Sequence, residues 1–163
     1  MEIKEKNEVV EFLTQSNLIE SVGKEGLADS LNAYHYTMGL KEINQKHLLK
    51  IHKLVMKKLN PRIAGKFRKC NVMVGDRICP KSIEAQKMLQ EFYKKVNFKP
   101  VKINEEKLDL YSKELHILFE HAHPFEDGNG RIGRILYAWH RNQMGLKLDI
   151  IEYKNRWEYY KWF

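Results

Sequence analysis

HPFEDGNGRIGR, His123 to Arg134, is the stretch that decides how this chain is read. Inside it GNGRIG, residues 128–133, fits the dinucleotide-binding spacing GxGxxG letter for letter. That fingerprint requires a strand before its glycines, a helix after them and an acidic residue about twenty positions on. Here a long amphipathic helical pattern and Pro124 come first, and the sequence shows no apolar parallel strand. Glu152 falls near the right distance but is one carboxylate among many. No GK[ST] comes after the glycines, so a phosphate loop of the Walker type fits no better.

The physics common to both motifs still holds. Glycines at the start of a helix let the backbone approach a ligand, and the unpaired first-turn amides form an anion site favoured by the helix dipole. Gly128, Asn129 and Gly130 are therefore placed to cradle phosphate oxygens. Arg131 and Arg134, three positions apart, can both serve the same polyphosphate. Asp127 precedes this cationic site, where a carboxylate can hold a magnesium ion against phosphates. His123 comes from the mouth of the loop, where a neutral imidazole can take a proton from a hydroxyl. Taken singly, the histidine reads as structural, the aspartate as a helix cap and each arginine as a surface cation. Their convergence within twelve residues points instead to nucleotidyl or phosphoryl transfer. Phe125 reads as a core anchor for the loop, and Gly133 as a spacer between the two arginines.

Composition narrows the class. The chain has 163 residues, 43% of them hydrophobic, enough for one domain with a real core and short for two. No apolar run could span a bilayer, and MEIKEKNEVVEFL carries acidic residues where a signal peptide needs a basic start, so a non-membrane, unexported protein is expected. Two cysteines, Cys70 and Cys79, form no disulfide framework and suit a reducing cytoplasm. The net charge of +8 admits a polyanionic partner, but lysines are spread along the whole chain, which favours a solvated surface over a nucleic-acid face.

Periodicity predicts a mainly helical chain. A first helix is expected over Lys4–Ile19, with Val9, Phe12, Leu13 and Ser16 on one face, and Gly23 and Gly26 punctuate the connection after it. A second runs from Leu27 to Met38. Asn44 caps a third over Gln45–Leu59, with Leu48, Ile51, His52, Val55 and Leu59 as its stripe and Asn60-Pro61 as its stop. CNVMVGDRIC, residues 70–79, reads as a hairpin with a type II′ turn at Gly75-Asp76. Ser82, with Glu84 behind it, opens a helix to about Val96. Asn104 caps another over Glu105 to about His121, ended by the restriction Pro124 places on His123. A last helix starts near Arg131, with Ile132, Ile135, Leu136 and Trp139 facing the core.

HPFEDGNGRIGR resembles, without a mismatch, the signature HPFx[DE]GNGRxxR of Fic-domain proteins. The resemblance implies a Fic fold over residues 1–163, a helical bundle with a small β-hairpin flap. It implies transfer of AMP from ATP, with Mg2+, to a Ser, Thr or Tyr hydroxyl of a target protein. In those terms His123 is the general base and Asp127 the magnesium ligand. Asn129 with the amides of Gly128 and Gly130 holds the α-phosphate region, and Arg131 and Arg134 bind the β and γ phosphates. The flap, residues 70–80 with Val72, Met73, Val74, Gly75 and Ile78, docks the target as an added strand. SNLIES, Ser16 to Ser21, resembles the inhibitory motif [ST]xxxE[GN], with Glu20 set against Arg134 and Ser21 departing from the pattern. Residues 1–22 then form an inhibitory segment.

Alternatives stay open at this level. The related Doc branch phosphorylates its target but departs from the GNGR portion that Gly130 and Arg131 keep here. In some relatives the inhibitory glutamate supports removal of AMP. A basic module that merely captures a nucleotide or another polyanion would need no base at the loop mouth. A homodimer and an antitoxin partner are compatible with the family and illegible in the residues. His116, His121 and His123 are spaced wrongly for a shared zinc ion. Tyr137, Trp139, Trp157, Tyr159, Tyr160 and Trp162 read as packing, with a C-terminal tyrosine available to border a base.

Overall fold

The three-and-four spacing of apolar residues becomes helix over most of the chain. A computed structural model describes residues 3–101 and 103–163. Its helices are α1 (Ile3–Ile19), α2 (Leu27–Met38), α3 (Gln45–Met56), α4 (Ser82–Val96), α5 (Glu105–Ala122), α6 (Asn129–Gln143) and α7 (Arg156–Tyr160). Strands β1 (Met73–Val74) and β2 (Arg77–Ile78) form an antiparallel hairpin with Met73 opposite Ile78. The expected class, mainly helical with a small hairpin, is the one found.

α6 is the buried axis. Every residue from 131 to 141 is buried, and the helix packs on α1, α2, α3 and α5. α5 in turn lies between α4 and α6. Phe12 and Leu13, Leu48, Ile51 and Val55, Phe92, Phe119, and Ile132, Ile135 and Trp139 meet in one apolar core. Burial of that face, more than local propensity, is what holds such short helices together.

Two boundaries differ from those expected by more than one residue. α3 stops at Met56, not Leu59: Leu59 is exposed, so no burial extends the stripe, and Asn60 N–H reaches back to the Met56 carbonyl before Pro61. α6 begins two residues before Arg131, since Gly128, at φ +83°, turns the chain directly into it. α4 opens at Ser82 and ends at Val96 as expected, with Glu84 Oε2 accepting from Lys81 N–H at 2.9 Å and the Ser82 hydroxyl donating to the Arg68 carbonyl. Asn44 and Asn104 do cap, accepting from His47 and Lys107 N–H. In the hairpin Gly75 has φ +56° and Asp76 lies outside the left-handed region, as a type II′ turn requires.

Candidate active site

The site is built where α5 ends and α6 begins. His123 caps α5 in a left-handed conformation, φ 44° and ψ 60°, because Pro124 forbids another helical residue there. Phe125 then buries its ring flat on His52, with centroids 3.9 Å apart, and against Phe67. The His52 ring is itself fixed: its Nδ1 accepts from Gly65 N–H at 2.8 Å, so Nε2 carries the proton and donates to the Asp127 carbonyl at 3.2 Å. His52, read in the sequence only as part of an apolar stripe, thus holds the loop backbone.

Asn129 ties the loop to itself. Its side chain is buried and folds back on the loop, accepting from Phe125 N–H at 3.0 Å and donating to the Phe125 carbonyl at 2.9 Å. These two bonds fix the amide on the loop and leave its second Nδ2–H beside the main-chain N–H. The first intrahelical bond of α6 runs from Ile132 N–H to the Gly128 carbonyl, leaving the amides of residues 129–131 ahead of it at the positive end of the dipole. Gly128 N–H turns to Asp127 Oδ1.

The two arginines do not share a surface. Arg131 runs toward the end of α3, with Nη2 3.1 Å from Met56 Sδ and 3.7 Å from Asp127 Oδ1, while its Nε and Nη1 are buried without a hydrogen bond. Burial lowers its pKa. Arg134 runs toward α1 and α7. It donates through Nε to the Ser16 hydroxyl (2.9 Å), through Nη2 to the Ser16 carbonyl (3.0 Å) and to Glu20 Oε1 (2.7 Å), and through Nη1 to the Tyr159 hydroxyl (3.1 Å). Burial works against its charge, yet Tyr159 and Glu20 raise its pKa above the ordinary arginine value.

Glu20 reaches this place through the end of α1. Ser21 N–H bonds the Leu18 carbonyl and Val22 N–H bonds the Asn17 carbonyl, a Schellman closure with Ser21 at φ 55°. The Glu20 carboxylate lies directly over Gly130, where an added Cβ would meet Oε1 at 2.1 Å. It therefore covers the first turn of α6 on the side of Arg134.

A cleft of about 540 Å³ joins these parts, within the range of small-molecule sites. Glu20, Glu120, His123, Gly130 and Arg134 line one side, the flap another, and Trp157, Tyr159, Tyr160 and Phe163 a third. Asp127 and Arg131 lie outside that lining. His123 Nδ1 faces the Glu120 carbonyl at 3.3 Å, and burial lowers its pKa to about 4, so the ring is neutral at pH 7 with Nε2 free to accept. The flap presents its apolar side chains outward: Met73, Val74 and Ile78 are 62%, 41% and 75% exposed, which does not suit a hairpin that merely closes the core.

Two residues of the site carried no legible signal. Arg68, fully buried, donates to the carbonyls of His123, Cys70 and Pro80, tying the loop to both ends of the flap. Arg77, on β2, donates to the Glu120 carbonyl at 3.3 Å. Gly133 proves more than a spacer, since an added Cβ there would meet Glu120 Oε1 at 2.1 Å and His116 Cε1 at 3.0 Å.

The sequence profile of the Fic/DOC family matches residues 42–140, and the chain belongs to that family. It is 32% identical over 124 residues to the protein adenylyltransferase Fic of Aedes aegypti, covering 72% of this chain and 23% of that protein. With the protein adenylyltransferase Fic of Drosophila erecta the identity is 32% over 123 residues, covering 73% and 24%. The chain thus spans about a quarter of the length of these relatives. A Fic-1 fragment from C. elegans superposes with a TM-score of 0.78 at 19% identity, over 98% of this chain and 55% of that one. A Fic-domain signaling protein from Bacteroides thetaiotaomicron does so with 0.76 at 15% identity, over 96% and 70%. These likenesses establish the Fic fold. No helix among the described residues is long and apolar enough to cross a membrane.

Proposed function

We propose that this chain is a protein adenylyltransferase that moves AMP from ATP to a side-chain hydroxyl of a protein, restrained by Glu20. The observation that carries the reading is the pairing of a neutral His123 with the unpaired first-turn amides of α6 and Arg134 at one cleft, in a chain whose relatives bear that activity in their names. The target hydroxyl oxygen attacks the α-phosphorus, the bond to the pyrophosphate oxygen breaks, and the hydroxyl proton passes to His123 Nε2. Main-chain amides of residues 129–131 bind phosphate oxygens. Arg131, with two unpaired buried nitrogens, and Arg134 supply the cationic charge.

Asp127 suits a magnesium ion. Its side chain is 61% exposed beside the first amides of α6, and magnesium is commonly held by one carboxylate plus substrate phosphates. Such an ion would neutralise phosphate charge. Trp157 and Tyr160, both exposed ring faces, offer stacking for a base. The open edge of the flap suits an extended target segment.

Glu20 restrains the reaction by holding the guanidinium of Arg134 and covering Gly130 on the first turn of α6. Incubation with labelled ATP and magnesium, in buffer and in cell lysate, tests the reading. Glu20→Gly should raise labelling at least tenfold over the wild type, because a charge-assisted contact of roughly 1.5–3 kcal/mol is removed. His123→Ala should abolish it. Labelling that is absent from the Glu20→Gly protein, or that survives His123→Ala, would sink the enzyme reading.

A further inference from the structure

α5 brings a second carboxylate into the cleft that the proposed transfer leaves without a role. Glu120 stands one helical turn before His123, with Oε2 3.9 Å from His123 Nδ1 and Oε1 buried without a hydrogen bond. Gly133 leaves the room it fills. The main-chain carbonyl of the same residue already faces Nδ1, but at 3.3 Å, and it also accepts from Arg77. The Nδ1 proton therefore has a long, shared acceptor and an unspent carboxyl oxygen within reach of a side-chain rotation.

We infer that Glu120 is the positioning residue of the base: ionised, it takes the Nδ1–H hydrogen bond as His123 becomes imidazolium, and so speeds the transfer. The inference rests on the AMP-transfer reading. The proton count is simple. The hydroxyl proton arrives at Nε2, Nδ1 keeps its own, and imidazolium with carboxylate makes a neutral pair. With Glu120 protonated, the same step would leave a net positive charge buried beside Arg68, Arg77 and Arg134.

The groups facing Glu120 set when it ionises. These are His116 on its own helix, Arg134 on α6, Glu20 at the end of α1, Arg77 on the flap, Tyr159 on α7 and His123 itself. Burial raises its pKa to about 8; Arg134 and Arg77 oppose the rise and Glu20 adds to it. The base is therefore weaker at neutral pH than on the alkaline side, and Glu20 acts against it a second time by keeping Glu120 protonated.

The test uses the full chain carrying Glu20→Gly, with labelled ATP and magnesium at saturation. The labelling rate should rise with pH to an inflection below the wild-type value of about 8, since Glu20 no longer adds to the rise, and stay flat when Glu120→Gln is added. At pH 9 the added substitution should cost about tenfold, the value of one pKa unit of lost basicity, with KM for ATP within twofold. Glu120→Asp should restore part of the rise. Histidine 15N resonances give a reading independent of turnover: His123 Nδ1 should show an inflection near pH 8 in the wild type that Glu120→Gln removes. No labelling at any pH together with that inflection would defeat the transferase reading alone. A rise that survives Glu120→Gln, or a wild-type His123 without the inflection, would overturn the role of Glu120. So would a pH-independent loss of rate accompanied by a lower melting temperature.

Discussion

Ser21 shows how one residue sets the position of the brake. It comes just after Glu20 at the left-handed closure of α1, a conformation in which a Cβ costs about 1 kcal/mol relative to glycine. The inhibitory pattern places Gly or Asn there, the residue types that enter this region most readily. Ser21→Gly should therefore stabilise the protein by about 0.5–1 kcal/mol in urea unfolding and lower basal labelling, because the closure that aims Glu20 at Arg134 forms more readily. An unchanged midpoint would mean that Arg134 and Ser16, not the helix end, hold Glu20 in place.

At the scale of elements, the relation between flap and catalytic loop hangs on Arg68. Its guanidinium bridges three carbonyls on two segments, and its own main chain bonds Pro124 and Ser82. Lysine carries the charge but lacks the planar fork that spans those acceptors. Arg68→Lys should leave ATP affinity within twofold and speed amide exchange in residues 72–79, with α6 unaffected. Each carbonyl left unpaired costs about 1–3 kcal/mol, so Arg68→Ala should be strongly destabilising. Flap exchange that stays at the wild-type rate in Arg68→Lys would show that the hairpin turn alone holds it.

The whole molecule should lose stability in mild acid. Burial lowers the pKa of His52, His123 and His140 to about 4 and of His116 to about 3, from an ordinary value of 6.5. The unfolded chain takes up protons near 6.5 while the folded one refuses them, so this stability is whole above pH 6.5 and is lost as pH falls toward 4. Each group contributes a slope of up to about 1.4 kcal/mol per pH unit. Glu120 works the other way: it stays protonated in the fold up to about 8 but ionises near 4.5 when unfolded, offsetting one histidine across that window. Melting temperature should therefore fall steadily from pH 6.5 to 5, and a flat profile would show that the buried rings find acceptors on protonation.

The sequence alone determined the helices, the hairpin and the short window in which base, carboxylate, amides and arginines succeed one another. Helical period, asparagine caps, Pro124 and Gly75 act over a few residues, so their consequences can be read in chain order. Tertiary structure alone decided which way the two arginines run, that the Asn129 amide closes on Phe125, and that His52 and Arg68 hold the loop and flap. Arg68 is one cation among 29 Lys and Arg residues, and nothing in its neighbourhood marks it for burial. Glu20 meets Arg134 across 114 residues of chain, a contact that exists only because α1 packs against α6. Such contacts arise from the requirement that buried charges and carbonyls find partners, and the partners available are fixed only once the helices have packed.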